Sequence, residues 1–84
     1  MWREQDDALV ADFVFDDFKD AFAFMGFVAV LAEAHQHHPN WSNVYNKVHI
    51  KLTTHDAGNK VTDKDRALAL AIEADAGVRA LLAR

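Results

Sequence analysis

Residues 8–38 read ALVADFVFDDFKDAFAFMGFVAVLAEAHQHH, and the apolar period changes in the middle of them. Leu9, Ala11, Phe13 and Phe15 recur at every second position, with Val10, Asp12 and Val14 on the other side, which is the signature of a strand. After Asp16 and Asp17, either of which can cap a helix by accepting its free first-turn amides, the spacing becomes helical. Phe18, Phe22, Met25, Ala29 and Ala32 follow at steps of four and three, and Phe24, Phe27 and Leu31 form a second apolar stripe. One sheet needs one stripe, so the second is expected to meet another subunit or cover a loop. Pro39 disfavours helical geometry in the residue before it, so the helix is predicted to end near His38.

Working outward, Trp2 to Gln5 can pair with the first strand through a turn at Asp6-Asp7. Downstream, Ser42 to Thr54 carries Val44, Val48, Ile50 and Leu52 on one parity, against Tyr45, Lys47, His49, Lys51 and Thr53. A turn or bulge at Asn46-Lys47 divides it into two strands. A loop follows from His55 to Val61. Thr62 and Asp65 have capping-box spacing for a final helix through Leu68 and Ile72, which Gly77 ends or bends. The predicted order is β-β-α-β-β-α over a single domain, residues 1–84. The fold class is α+β, a four-stranded antiparallel sheet with helices packed on one face.

The chain has 84 residues, 51% of them hydrophobic and 26% charged, the balance of a folded domain. A core this small has no disulfide to reinforce it, since cysteine is absent, so oligomerisation is a reasonable expectation. The same absence excludes thiol chemistry and cysteine zinc sites. Nine Lys and Arg against thirteen Asp and Glu give a net charge of -4, which argues against direct nucleic-acid binding. Lys19, Asp20 and Glu33 interrupt the most apolar stretch, and the first seven residues are too acidic for a signal peptide. No membrane association and a cytoplasmic location are the expectations.

All five histidines lie between positions 35 and 55. Glu33 and His37 are four apart, so a helix would place them on one face. His38 follows at once, and His55 ends a strand beside Asp56. Imidazoles titrate near neutrality and exchange protons readily, and no serine, cysteine or phosphate-loop motif competes. His35 and His49 read as a helix-end residue and a solvated strand position. A zinc site is the rival reading. Adjacent helical residues such as His37 and His38 diverge by about 100°, and no His-x3-His pair is present, so no metal ligand is expected.

Glu33-Ala34-His35-Gln36-His37-His38-Pro39-Asn40-Trp41-Ser42-Asn43-Val44-Tyr45-Asn46 closely resembles the central motif of the pterin-4a-carbinolamine dehydratases. That motif is an acidic residue, three residues, His-His-Pro, and a short spacer to an aromatic residue, here Tyr45. A later histidine, His55 in Thr53-Thr54-His55-Asp56-Ala57-Gly58, and an aspartate, Asp65, complete the pattern. Phe13, Phe15 and Phe18 leading into Ala21, Phe24 and Met25 resemble the family's strand-to-helix entry. The likeness runs from about Trp2 to Ile72. Two departures stand beside it: the family's additional N-terminal helix is missing, and the loop Gly58-Asn59-Lys60-Val61 is one residue longer.

The resemblance implies a hydro-lyase that eliminates water from 4a-hydroxytetrahydrobiopterin to give the quinonoid dihydropterin, recycling tetrahydrobiopterin beside an aromatic amino acid hydroxylase. It implies His37 and His55 as general acid and base, and His38 as a residue that orients substrate. Glu33 would hold a histidine tautomer or bind the pterin's donor-rich edge. Pro39, Thr54, Asp56 and Ala57 would line the pocket. Trp41 is an aromatic wall or a core residue, and Asp65 is catalytic support or a helix cap. No cofactor is implied, since the pterin is the substrate, and the assembly would be a homodimer or homotetramer. Some family members also act as dimerisation cofactors of a homeodomain transcription factor, so a non-catalytic interaction module of the same fold is the alternative.

Overall fold

The structure, a computed structural model, describes residues 1–83. Strand β1 (Arg3–Gln5) and strand β2 (Ala8–Val14) are joined at Asp6 and Asp7, both with positive φ. Two consecutive left-handed residues make the turn whose twist matches paired strands, and aspartate tolerates that conformation better than most side chains. Helix α1 (Phe18–His35) follows, capped by Asp17, whose carboxylate accepts the Asp20 amide at 2.9 Å. Strands β3 (Asn40–Val44) and β4 (Lys47–Leu52) form the second hairpin, and His55–Ala57 makes one 3₁₀ turn. Helices α2 (Asp63–Ala74) and α3 (Ala76–Leu82) complete the chain. The sheet order is β1-β2-β4-β3, antiparallel throughout.

One sheet face is covered by the helices and holds the core. Leu9, Ala11 and Phe13 pair across with Leu52, Ile50 and Val48, and all six are buried. Phe24 from α1 fills the space above them, its ring centroid 4.6 Å from Phe13 and 4.9 Å from Phe15. Leu68 and Ile72 of α2 and Val78 of α3 close the layer. No helix among the described residues is long and apolar enough to cross a membrane.

Three expectations are corrected here. The inward face of α1 is Ala21, Phe24, Val28 and Ala32, whereas Phe18 and Phe22, expected on the core stripe, are exposed. This helix is apolar almost all round, so spacing alone does not choose its face. Small Ala21 and Ala32 let the backbone approach the sheet, and Phe24 fills the gap between them. Phe27, from the second expected stripe, lies over Gly77, where an added Cβ would stand 2.7 Å from its ring.

Val44, expected beside Val48, is 72% exposed. The turn lies at Tyr45-Asn46, one position earlier than predicted, so Val44 pairs with Lys47 and shares its open face. Asn46 pins this turn to the end of β2 through its own carbonyl and side chain, both bonded to the Phe15 backbone. Finally, the last helix breaks at Asp75, not Gly77. Asp75 ends α2 in extended geometry and caps α3 by accepting the Val78 amide at 3.0 Å. The helices therefore number three among the described residues, one more than predicted.

Candidate functional site

The C-terminus of α1 sets the site. Gln36 adopts a left-handed φ of 48°, its amide bonds back to Glu33, and the His37 amide bonds to the Ala32 carbonyl at 3.0 Å. This double closure turns the chain sharply under the helix end. A non-glycine residue holds that conformation at a cost of about 1–2 kcal/mol, and the result is that His37 points inward, 9% exposed.

Asp65, 0% exposed, meets it from the first turn of α2. Its Oδ1 lies 2.5 Å from His37 Nε2. Its Oδ2 accepts the Thr62 amide and the Thr54 hydroxyl, each at 2.8 Å. Burial pushes the Asp65 carboxyl upward, and the hydrogen bonds from His37, the Thr62 amide and Thr54 together outweigh it, leaving the carboxyl below its ordinary range. Asp65 is thus an acceptor only near neutral pH, which orients every neighbouring proton. His37 carries its proton on Nε2, leaving Nδ1 as the ring nitrogen available to a ligand. Thr54 donates to Asp65, so in the 2.6 Å contact between the threonine hydroxyls Thr62 donates to Thr54. The carboxylate that closes the capping box is the same one that holds His37.

Around this pair lies an open cleft of about 240 Å³, lined by Gln36, His37, His38, Thr53, Thr54, His55, Asp56 and Lys64. His55 is exposed at its rim in the 3₁₀ turn, with Nδ1 3.3 Å from Asn59 Oδ1. The loop behind it closes through a bridge between Thr54 and Lys60, with Gly58 and Asn59 both left-handed. The segment after β4 therefore presents Thr54 inward and His55 outward on the same cleft.

Glu33 does not share a face with His37, because helical geometry ends before Gln36. It bonds His38 instead, Oε2 to Nε2 at 2.5 Å, with both side chains largely in solvent. Exposed pairs contribute about 0–1 kcal/mol. Glu33→Gln is expected to keep the thermal midpoint within a few degrees of wild type, measured by circular dichroism. Pro39, Trp41 and Ala57 are not part of the cleft lining, and Trp41 packs against the core. Gln36, Thr53 and Lys64 line the cleft without having been singled out in the sequence. Gln36 was hidden because nothing in its type announces a left-handed turn, and Lys64 because its position inside a capping box reads as structural. Among the described residues no group of three or more histidine or acidic side chains converges as a metal site would require.

With this geometry in hand, likeness to known proteins is informative. The sequence profile described as pterin 4 alpha carbinolamine dehydratase matches residues 1–74. A protein of Synechococcus sp. (strain WH7803), provisionally named pterin-4-alpha-carbinolamine dehydratase, is 56% identical over 73 residues, covering 87% of this chain and 77% of its own. A relative from Rhizorhabdus wittichii with the same provisional name is 59% identical over 68 residues, covering 81% and 69%. Among solved structures, a transcriptional coactivator/pterin dehydratase from Brucella melitensis superposes with a TM-score of 0.80 at 41% identity, over 87% of this chain and 79% of that one. A pterin dehydratase-like protein identified as a RuBisCO assembly factor in the alpha-carboxysome shares the fold, with a TM-score of 0.69 at 24% identity over 88% and 84%. The chain belongs to the pterin-4-alpha-carbinolamine dehydratase family.

Proposed function

We propose that the protein dehydrates 4a-hydroxytetrahydropterins, with 4a-hydroxytetrahydrobiopterin the expected substrate and the quinonoid dihydropterin the product. The observation that carries this reading is the buried His37–Asp65 pair facing a cleft that also holds His38 and His55. The reaction needs two proton transfers and no change in oxidation state. A base takes the proton from the ring nitrogen beside C4a, and the freed electron pair forms the C=N bond. The C–O bond breaks as an acid protonates the departing hydroxyl, so water leaves and the site's protons balance.

His37 and His55 take these two roles, from the floor and the rim of the cleft. Asp65 fixes the His37 tautomer and stabilises the ring when it is charged, the task a buried carboxylate performs behind a general base. His38, held by Glu33, and Thr54, held by Asp65, orient the pterin. A cleft below the usual range of about 300–1,000 Å³ suits a small ring system. The reading calls for no cofactor, and it places the protein in the cytoplasm, next to a hydroxylase that generates the substrate.

Binding is testable apart from catalysis. A stable dihydropterin titrated into labelled protein is expected to shift the amide resonances of His37, His38 and Thr54 to Asp56. Shifts confined to other surfaces would remove the cleft from the reading.

One observation favours a second role alongside this one, as an assembly module. Phe18, Phe22 and Val30 stand exposed along α1, with Phe22 at 61% and Val30 at 70%. Their burial between copies would supply the apolar area that a core this small lacks. Light scattering is expected to give a dimer or tetramer of the 9.4 kDa chain. A monomer at micromolar concentration contradicts the assembly.

A further inference from the structure

The helices cover one face of the sheet and leave the other open, and the open face differs in charge from the rest of the molecule. The pairing register fixes its rows. Val14, Lys47 and Val44 form one; Asp12, His49 and Ser42 the next; and Val10, Lys51 and Asn40 the third, with Arg3 beside Val10, which is itself buried. The chain has nine basic against thirteen acidic residues. These rows hold Arg3, Lys47 and Lys51 against a single acid, Asp12.

That one acid is already occupied. Asp12 bonds His49 Nδ1 at 2.7 Å and Arg3 at 3.0 Å, and these two partners hold its carboxyl below the ordinary range. Lys47 and Lys51 make no ion pair among the described residues. Beside Lys47, and short of Lys51, lies a groove of about 330 Å³ whose lining includes Asp12, Val14, Ser42, Val44, Lys47 and His49, with Phe13 and Val48 of the core. Val14 is 65% exposed there and Val44 72%. Two exposed valines at the lysine row, on a face with excess positive charge, amount to an apolar seat with cationic fastenings.

We propose that the open sheet face docks an acidic amphipathic helix of a partner protein. The charge selects an acidic partner, since a face positive within a net negative chain repels a basic one. Spacing selects the helix. Lys47 and Lys51 are four residues apart on a strand, about 13 Å. Carboxylates two turns apart on one face of a helix are separated by about 11–12 Å. Apolar residues on the turn beside the first carboxylate then meet Val14 and Val44, which flank Lys47 on either side. Layering a helix on a bare sheet face is also how this fold covers its other side. The cleft at His37 takes no part in this surface.

The test uses the full chain and two synthetic amphipathic helical peptides with the same apolar face, one glutamate-rich and one lysine-rich on the polar face. The acidic peptide is expected to shift the amide resonances of Val14, Val44, Lys47 and His49. The Lys47→Glu/Lys51→Glu double variant, at exposed positions, is expected to bind it at least about tenfold more weakly, and Lys47→Gln/Lys51→Gln to fall between. Circular dichroism of both variants should match wild type. Equal binding of the two peptides, shifts on α1 instead, or no shifts at all overturns the proposal. So does a change in the double variant's mass by light scattering, which would show that a second copy covers this face. A duplex oligonucleotide shifting the same amides while the acidic peptide fails would assign the face to phosphate and overturn it equally.

Discussion

Alanine at position 37 is expected to slow the dehydration of 4a-hydroxytetrahydropterin by about a hundred- to ten-thousandfold, the usual worth of a positioned general acid or base. His37 is the buried histidine among the described residues, and Asp65 holds its Nε2 and leaves Nδ1 for the ligand. The same substitution also empties a space beside a buried carboxylate, so a loss of rate alone would not separate chemistry from structure. Added imidazole provides the separation. It should enter the vacated space and restore part of the rate in His37→Ala while doing nothing for wild type. A folded variant with unchanged rate would remove His37 from the mechanism.

The second large effect belongs to Asp65, which touches no solvent and acts through its neighbours. In Asp65→Asn the side-chain oxygen is expected to keep the cap on Thr62, which turns the amide NH₂ towards His37. Nε2 must then accept, so the proton moves to Nδ1 and the ring presents the wrong nitrogen to the cleft. The reaction rate is expected to fall by about a thousandfold or more, as when the carboxylate behind a catalytic histidine becomes an amide, with a smaller stability change. Nitrogen-15 spectra of the histidine ring would show the tautomer switch, which a purely structural role would not produce.

Asp65→Ala removes the cap and all three acceptor contacts together. It is expected to cost about 2–4 kcal/mol, lowering the thermal midpoint by roughly 4–8 °C for each kcal/mol in a domain of this size. The pH dependence has a definite sign. A carboxyl held below its unfolded value contributes stability that is complete above that value, near pH 4, and disappears as pH falls through the lower folded value. Wild type should therefore lose stability relative to Asp65→Ala on acidification below about pH 4. Melting curves across pH 2–7 would show the convergence.

The strands and the sheet were legible because Leu9, Ala11 and Phe13 alternate cleanly against one another and Val48, Ile50 and Leu52 answer them. Helix α1 was legible as a helix but not in its rotation, since a helix apolar on several sides contains more than one stripe of equal quality. Spacing favoured Phe18 and Phe22 for the core, whereas packing chose Phe24 and Val28. The break at Asp75 was concealed because an aspartate that ends one helix and caps the next looks like an ordinary polar position. Gly77 drew the eye for its flexibility, yet its use is to admit the Phe27 ring.

At the site, the histidines were visible as types and their partners were not. The four-residue spacing paired Glu33 with His37 only on the assumption that the helix continues. The left-handed Gln36 ends it, sending His37 to Asp65, 28 positions away, and leaving Glu33 to His38. Such a pairing depends on where α2 packs, which no local pattern encodes. Thr62 and Asp65 were recognisable as a cap, and the cap is what delivers the carboxylate.

The most direct measurement is stopped-flow absorbance of 4a-hydroxytetrahydrobiopterin, generated by a hydroxylase, with wild type, His37→Ala and His55→Ala compared against buffer. Decay accelerated by wild type, and reduced in both variants that remain folded, is the result expected of a proton-transfer site. Decay no faster than buffer with folded wild-type protein would contradict it and leave the assembly role as the function of this fold.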